Sequence, residues 1–187
     1  MQSYYKSLSL FLENLSKDVS KLMLDHFESE HEVKKLPTGK IYCEVDKEIN
    51  LLINQRIAEN YPYYMFISEL SKHKEIVAHE SYFIIDEMCD SDLYINKKST
   101  FSFRGAFFDP KDGLITSVVG FPKKDTYLSM TIDEPIIMTK GGTQKDIAKI
   151  QMKKTEELVY SYPDKGDEIQ YLKLLKSIGI NDEFIKK

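Results

Sequence analysis

Tryptophan is absent from this 187-residue sequence, cysteine occurs only twice, and no apolar run approaches the ~20 residues that span a bilayer. The two cysteines, Cys43 and Cys89, are too few for a disulfide framework or a cysteine-rich zinc site. A net charge of −4 argues against the basic surface that is typical of nucleic-acid-binding proteins. The N-terminus also lacks the pattern of a signal peptide. We therefore expect a cytoplasmic protein that binds neither membranes nor nucleic acid.

The apolar content is sufficient for a folded core. Hydrophobic residues make up 42% of the chain and aromatic residues 12%, so the composition predicts a globular protein. Apolar residues at steps of three and four predict a long amphipathic helix over residues 3–27. The same spacing predicts a second helix that begins near Asp46 and ends at Asn60, before Pro62.

Short apolar runs bounded by turn signals predict the strands of a sheet. One run precedes a polar segment and one follows it. Three more form an antiparallel meander on short turns, and a sixth run follows in the chain. In chain order these runs are residues 65–68, 82–85, 100–108, 114–121, 126–131 and 136–139. Helical patterns over residues 144–153 and 167–177 complete the predicted secondary structure.

A cluster of acidic residues follows the apolar run at 82–85. Residues 86–91 read Asp-Glu-Met-Cys-Asp-Ser. Carboxylates at the end of a buried strand are costly unless a partner or a cation is bound there. Oxygen ligands of this kind suit Mg²⁺, although a solvated acidic turn explains the same pattern. The four histidines lie in polar contexts without metal-ligand spacing, so we expect surface histidines.

The ordered set of motifs resembles the inositol monophosphatase superfamily, and within it the bisphosphate-nucleotidase branch. Residues 40–46 are similar to the segment of that family that leads into its second helix, and residues 66–70 to its strand ending in Gly/Ser-Glu-Glu. Residues 86–91 are similar to its main signature, Asp-Pro-Leu/Ile-Asp-Gly-Thr. Residues 136–140 are similar to its later strand ending in Ser-Arg-Ser-His.

The resemblance implies an α/β fold in which helices pack on an antiparallel sheet, as in the N-terminal part of the family's sugar-phosphatase fold. Residues 1–135 then form the family-like domain. Residues 136–187 form a remnant of the C-terminal part, with one strand and two helices.

The family hydrolyses small phosphomonoesters with two or more Mg²⁺ ions, which polarise the phosphate and activate water. By resemblance, Glu69 and Asp86 are metal ligands, and Asp90 becomes one if the alignment slips by one residue. Asp46 and Ser91 are the candidate catalytic residues. Lys35 and Ser91 are the candidates for holding a phosphorylated substrate.

Several positions depart from the family pattern. Cys89 stands where the family has an aspartate that bridges two metals, and a thiol is a poor Mg²⁺ ligand. Leu70 replaces the second glutamate, while Glu87 and Asp90 add negative charge where phosphate would lie. A late Trp-Asp motif has no counterpart, since the chain lacks tryptophan and is shorter than family members. We therefore expect catalysis to be absent or vestigial and Mg²⁺ binding to be weak or absent.

These observations predict a phosphatase-derived pseudoenzyme that acts as a binding or interaction module, with a small phosphorylated molecule as a candidate ligand. Apolar surface left over from the shortened fold predicts a homodimer or a protein partner. One alternative is a Mg²⁺-dependent phosphatase of inositol, sugar or nucleotide phosphates that uses Glu69, Asp86, Asp90 and Asp46. A second alternative is a structural remnant without a ligand.

Overall fold

The computed structural model describes residues 2–35, 39, 41–68, 70, 80–147, 158–159 and 185–186. Contacts divide the chain into two compact units, Met1–Lys149 and Ile150–Lys187. The candidate site lies in the first unit, which carries two long helices, a seven-stranded sheet and a two-stranded hairpin.

Two helices form one layer of this unit. Helix α1 (Gln2–His26) and helix α2 (Glu44–Asn60) lie close to their predicted bounds. Their apolar residues recur at steps of three and four, so each helix presents one apolar stripe. The fully buried residues of the two stripes are Leu8, Leu12, Leu15, Val19 and Met23 on α1 and Val45, Ile49, Ile53 and Ile57 on α2.

Seven strands form the other layer, in the order in which they occur in the chain. The first two strands are parallel, and every later neighbour is antiparallel. The strands are β3 (Met65–Ser68), β4 (Tyr82–Cys89), β5 (Ser102–Asp109), β6 (Gly113–Phe121), β7 (Thr126–Thr131), β8 (Ile137–Lys140) and β9 (Thr143–Asp146). A separate hairpin of β1 (Lys34–Lys35) and β2 (Ile41–Tyr42) precedes α2. Helices packed on a largely antiparallel sheet confirm the predicted fold class.

The two faces of the sheet differ because side chains alternate along each strand. The inner face packs against the helices through Phe83, Ile85, Phe103, Phe107 and Val118. We call the opposite side the outer face and define it by residues that are cross-strand partners of one another. Its two rows are Ile84, Ala106, Ser117 and Met130, and Asp86, Arg104, Val119, Leu128 and Met138. Apart from Ser117, Asp86 and Arg104, these side chains are apolar.

Helix α1 approaches the sheet closely at Gly120. A Cβ atom at this position would lie 2.3 Å from Ser16 Oγ and 3.2 Å from the Tyr127 ring. Real Cβ atoms do not approach other atoms so closely, so only glycine fits between α1 and β7 here. This contact fixes how the long helix lies on the inner face.

The helix predicted over residues 144–153 is wrong in the part that the structure describes. Residues 143–146 form β9, which pairs with β8 through a two-residue turn. Gly141 and Gly142 have φ values of 54° and 75°, and positive φ at both central residues is the requirement of a type I′ hairpin turn. Residues 148–153 of this prediction lie outside the described residues. Part of the predicted remnant, residues 137–146, belongs to the sheet of the first unit.

In the second unit, β10 (Leu158–Val159) and β11 (Ile185–Lys186) form a parallel pair. The helix predicted at 167–177 lies outside the described residues. Within the described residues, no helix is both long and apolar enough to cross a membrane.

Candidate functional site

The candidate site lies where β4 ends and the short helix α3 (Ser91–Ile95) begins. Strand β4 continues past its predicted end to Cys89. Asp86 pairs with Arg104 on β5 and Cys89 pairs with Ser102, so β4 contains one extra residue between these two pairs. Such a bulge bends the strand locally. Asp90 then adopts a left-handed conformation with φ 67°, which Asp tolerates better than most residues, and the chain turns into α3.

Asp86 is half-buried on the outer face, in direct register with the exposed Arg104. Directly opposite residues of antiparallel strands have neighbouring side chains, and opposite charges in such a pair attract. The Cys89 thiol is close enough to Asp86 for that carboxylate to raise its pKa, and it donates a 3.6 Å hydrogen bond to Asp90 Oδ2. Asp86 therefore has a cation and a thiol among its described neighbours.

Burial, followed by the charge of Asp86, raises the pKa of the Cys89 thiol to about 12. The thiol is therefore protonated at neutral pH. A protonated thiol offers Mg²⁺ no suitable ligand, because this hard cation prefers oxygen donors. The position that the resemblance assigns to a bridging aspartate is thus occupied by a neutral hydrogen-bond donor.

Asp46 and Ser91, the two candidate catalytic residues, do lie together. Asp46 Oδ2 accepts a 2.8 Å hydrogen bond from the Cys43 backbone N–H, which completes a capping box at the start of α2. The Ser91 hydroxyl lies 3.2 Å from Asp46 Oδ1 and 2.9 Å from the Met88 carbonyl oxygen. Burial raises the pKa of Asp46 in spite of these hydrogen bonds. Both side chains are engaged in local structure, where α2 and α3 begin.

The sequence suggested that Glu87 adds negative charge beside Asp86. The structure places its side chain on the other face of the strand. Adjacent strand residues point to opposite faces, and Glu87 is only 2% exposed on the helix side of β4. The Asn50 side-chain amide of α2 donates to Glu87 Oε1 and also to Ser68 Oγ, at 2.9 Å in the second case. Burial raises the pKa of Glu87 above its ordinary value. Glu87 is a structural acid between α2 and the sheet.

Two further candidates lie at the surface. Lys35 is exposed in β1, and Asp90 is exposed at the start of α3. Glu69 lies outside the described residues, so its role as a metal ligand stays a prediction. Across the described residues, Asp86 and Asp90 do not belong to any group of three potential ligands whose donor atoms converge. Among the described residues at the end of β4, the protonated thiol of Cys89 is the donor that does not suit Mg²⁺, which prefers oxygen ligands.

One group of potential metal ligands was missed by the sequence analysis. A ring nitrogen of His31, Cys43 Sγ and a Glu44 carboxylate oxygen lie within 4.8 Å of one another. The expectation of surface histidines is wrong for His31, whose side chain is only 1% exposed. The three residues come from the loop after α1 and the start of α2, and no sequence spacing links His31 to the other two.

Comparison with known proteins identifies similar solved structures. No family model and no curated protein sequence matches this chain. The Thermotoga maritima inositol monophosphatase superposes with a TM-score of 0.66 at 18% identity, covering 92% of this chain and 65% of that protein. The extragenic suppressor protein suhB from Bartonella henselae gives a TM-score of 0.65 at 11% identity, covering 71% and 52%.

A third solved structure is an inositol monophosphatase/NADP phosphatase in complex with Mg²⁺ and phosphate, with a TM-score of 0.64 at 13% identity. The superposition covers 72% of this chain and 51% of that protein. The chain thus spans about half to two thirds of the length of these proteins. The likeness is consistent across them, and the chain has the inositol monophosphatase fold.

Proposed function

We propose that this protein is a catalytically impaired relative of the metal-dependent phosphatases that acts as an interaction module. The observation that carries the proposal is the register of Asp86 with Arg104, beside the protonated thiol of Cys89. Two-metal hydrolysis requires carboxylates from several elements to converge on one point. A cation and a thiol next to Asp86 work against that convergence.

The environment of Asp46 supports the same proposal. A general base or metal ligand needs a carboxylate oxygen that is available to substrate or metal. Here one oxygen of Asp46 caps α2, and the other lies within hydrogen-bonding distance of Ser91. Asp46 is also only 5% exposed, and its burial together with the cap of α2 favours a structural role.

The alternative is a Mg²⁺-dependent phosphatase with a reduced metal site, and solved neighbours with bound Mg²⁺ or Ca²⁺ favour it. The two functions differ in one assay. Phosphate release from inositol, sugar and nucleotide monophosphates is measured with the full chain and with the Asp86→Asn variant, in Mg²⁺. The proposal expects no release above background from either protein. Release that Asp86→Asn abolishes, and that the exposed control Asp92→Asn retains, would establish the alternative.

The outer face supports the interaction part of the proposal. Most of its side chains from β4 to β8 are apolar, and Ile84 is 44% exposed. We propose that a second copy of the chain covers this face, since apolar patches of this kind mark interfaces. A dimer mass in dilute solution is expected. A strictly monomeric particle would contradict the homodimer.

Two further points belong to this proposal. Both cysteines are free thiols, which suits a reducing compartment such as the cytoplasm. Binding of a small phosphorylated ligand is measurable by calorimetry with inorganic phosphate and inositol monophosphate. Failure to bind either one would leave protein–protein interaction as the module's role.

A further inference from the structure

His31, Cys43 and Glu44 form a cluster at the start of α2 that the proposed function does not use. His31 Nδ1 lies 2.9 Å from Glu44 Oε1. Glu44 Oε2 accepts a 3.0 Å hydrogen bond from the Glu32 backbone N–H, which fixes the orientation of the carboxylate. Cys43 is fully buried and caps α2, where its sulfur accepts a backbone N–H.

The other ring nitrogen of His31, across the ring from the contact with Glu44, is buried without a hydrogen-bond partner among the described residues. The His31 side chain is 1% exposed, yet its Nε2 atom has no hydrogen-bond partner in the described part of the chain. An unsatisfied buried nitrogen of this kind costs about 1–3 kcal/mol. The His31 ring lies 5.0 Å from the ring of the buried Tyr94, so the apolar surroundings offer the nitrogen little compensation.

We propose that His31, Cys43 and Glu44 bind a borderline transition metal of the Zn²⁺ type. One nitrogen, one sulfur and one oxygen donor match the ligands of zinc sites, whereas Mg²⁺ avoids nitrogen and sulfur. Zinc bond lengths of about 2.0–2.3 Å place neighbouring tetrahedral ligands about 3.5 Å apart. The donors already lie within 4.8 Å, so small side-chain rotations bring them to these distances.

The charges of the cluster fit a divalent cation. A thiolate from Cys43 and the Glu44 carboxylate together neutralise the two charges of Zn²⁺, which is favourable in a largely buried site. Burial and then the charge of Asp46 raise the pKa of the Cys43 thiol to about 12. Metal binding must therefore displace the thiol proton. The Glu44 side chain is 40% exposed and gives the metal a path from solvent.

The test is titration of the metal-free full chain with Zn²⁺ in competition with a chromogenic chelator. We expect one Zn²⁺ per chain in the wild type and at least about 100-fold weaker binding in Cys43→Ser and His31→Gln, since even outer-shell changes weaken metal sites 10–100-fold. His26→Gln is the matched control, because His26 also faces a glutamate, Glu48, at 3.5 Å. Its affinity should be unchanged. Circular dichroism without metal checks that each variant is folded.

Binding of Co²⁺ detects the thiolate ligand without any substitution in the cluster. Co²⁺ bound by a thiolate shows a sulfur-to-metal charge-transfer band in the near ultraviolet. The Cys89→Ser variant should retain this band at the intensity of the wild type, because Cys43 supplies the thiolate. A chain that binds no Zn²⁺ would overturn the proposal. Equal affinity in Cys43→Ser, or loss of the cobalt band in Cys89→Ser, would overturn it as well.

Discussion

The buried acid Glu87 gives a prediction whose sign can be worked out from the structure. Burial raises its folded-state pKa above the ordinary value of 4.5. Such a carboxyl stabilises the fold fully below pH 4.5, and this contribution is lost as pH rises through the folded-state pKa. The Glu87→Gln variant resembles the protonated acid at every pH, and its carbonyl oxygen can still accept the Asn50 hydrogen bond.

We therefore expect the free energy of unfolding of Glu87→Gln to rise relative to the wild type as pH increases from 4.5. The difference levels off above the folded-state pKa. Each unit of raised pKa corresponds to about 1.4 kcal/mol of this difference. Urea titrations at a series of pH values measure it directly.

Two further variants separate charge from packing. Glu87→Ala also removes the charge, but it leaves a cavity and deprives the Asn50 amide of its acceptor. We expect it to be about 2–3 kcal/mol less stable than Glu87→Gln at all pH values. Glu28→Gln makes the same change at a side chain that is 83% exposed and serves as the surface control. A Glu87→Gln variant that loses stability relative to the wild type as pH rises would refute the reasoning, because ionised Glu87 would then be favoured in the fold.

Three other predictions concern the packing and the site. Gly120→Ala should lower the free energy of unfolding by about 1–3 kcal/mol through overpacking against Ser16 Oγ of α1, and Ser16→Ala in the same chain, which removes that atom, should recover part of the loss; strictly additive urea midpoints would contradict this contact. Asp46→Ala should cost about 1–3 kcal/mol in a urea titration, because it leaves the buried Cys43 N–H without an acceptor, whereas an unchanged midpoint would argue against the cap. Ile84→Lys on the outer face should give a monomer of wild-type stability, as measured by light scattering and thermal unfolding; a dimer that persists would locate the interface elsewhere.

The helices and most strands could be predicted because their signals are local. The apolar steps of α1 and α2 and the four residues of β3 follow directly from the periodicity of the sequence. The strand β9 was missed because the residues 144–146 are polar and exposed. The Gly141-Gly142 pair is itself a hairpin signal, but the polar residues after it do not read as a strand.

The site was harder to predict because its geometry depends on the pairing of strands. Asp86 and Glu87 are neighbours in the sequence, but the strand places them on opposite faces of the sheet. Arg104 comes to lie beside Asp86 only through the antiparallel register of β4 and β5. His31 was missed for a similar reason, since the end of α1 and the start of α2 meet only in the fold.

The central proposal is that the end of β4 does not assemble a divalent-metal site around Asp86. A crystal of the full chain soaked in Mn²⁺, a Mg²⁺ analogue with a measurable anomalous signal, tests this directly. The account predicts no anomalous peak within coordination distance of the Asp86 carboxylate. A peak that Asp86 shares with a second carboxylate, Glu69 or Asp90, and that disappears in Asp86→Asn, would contradict it.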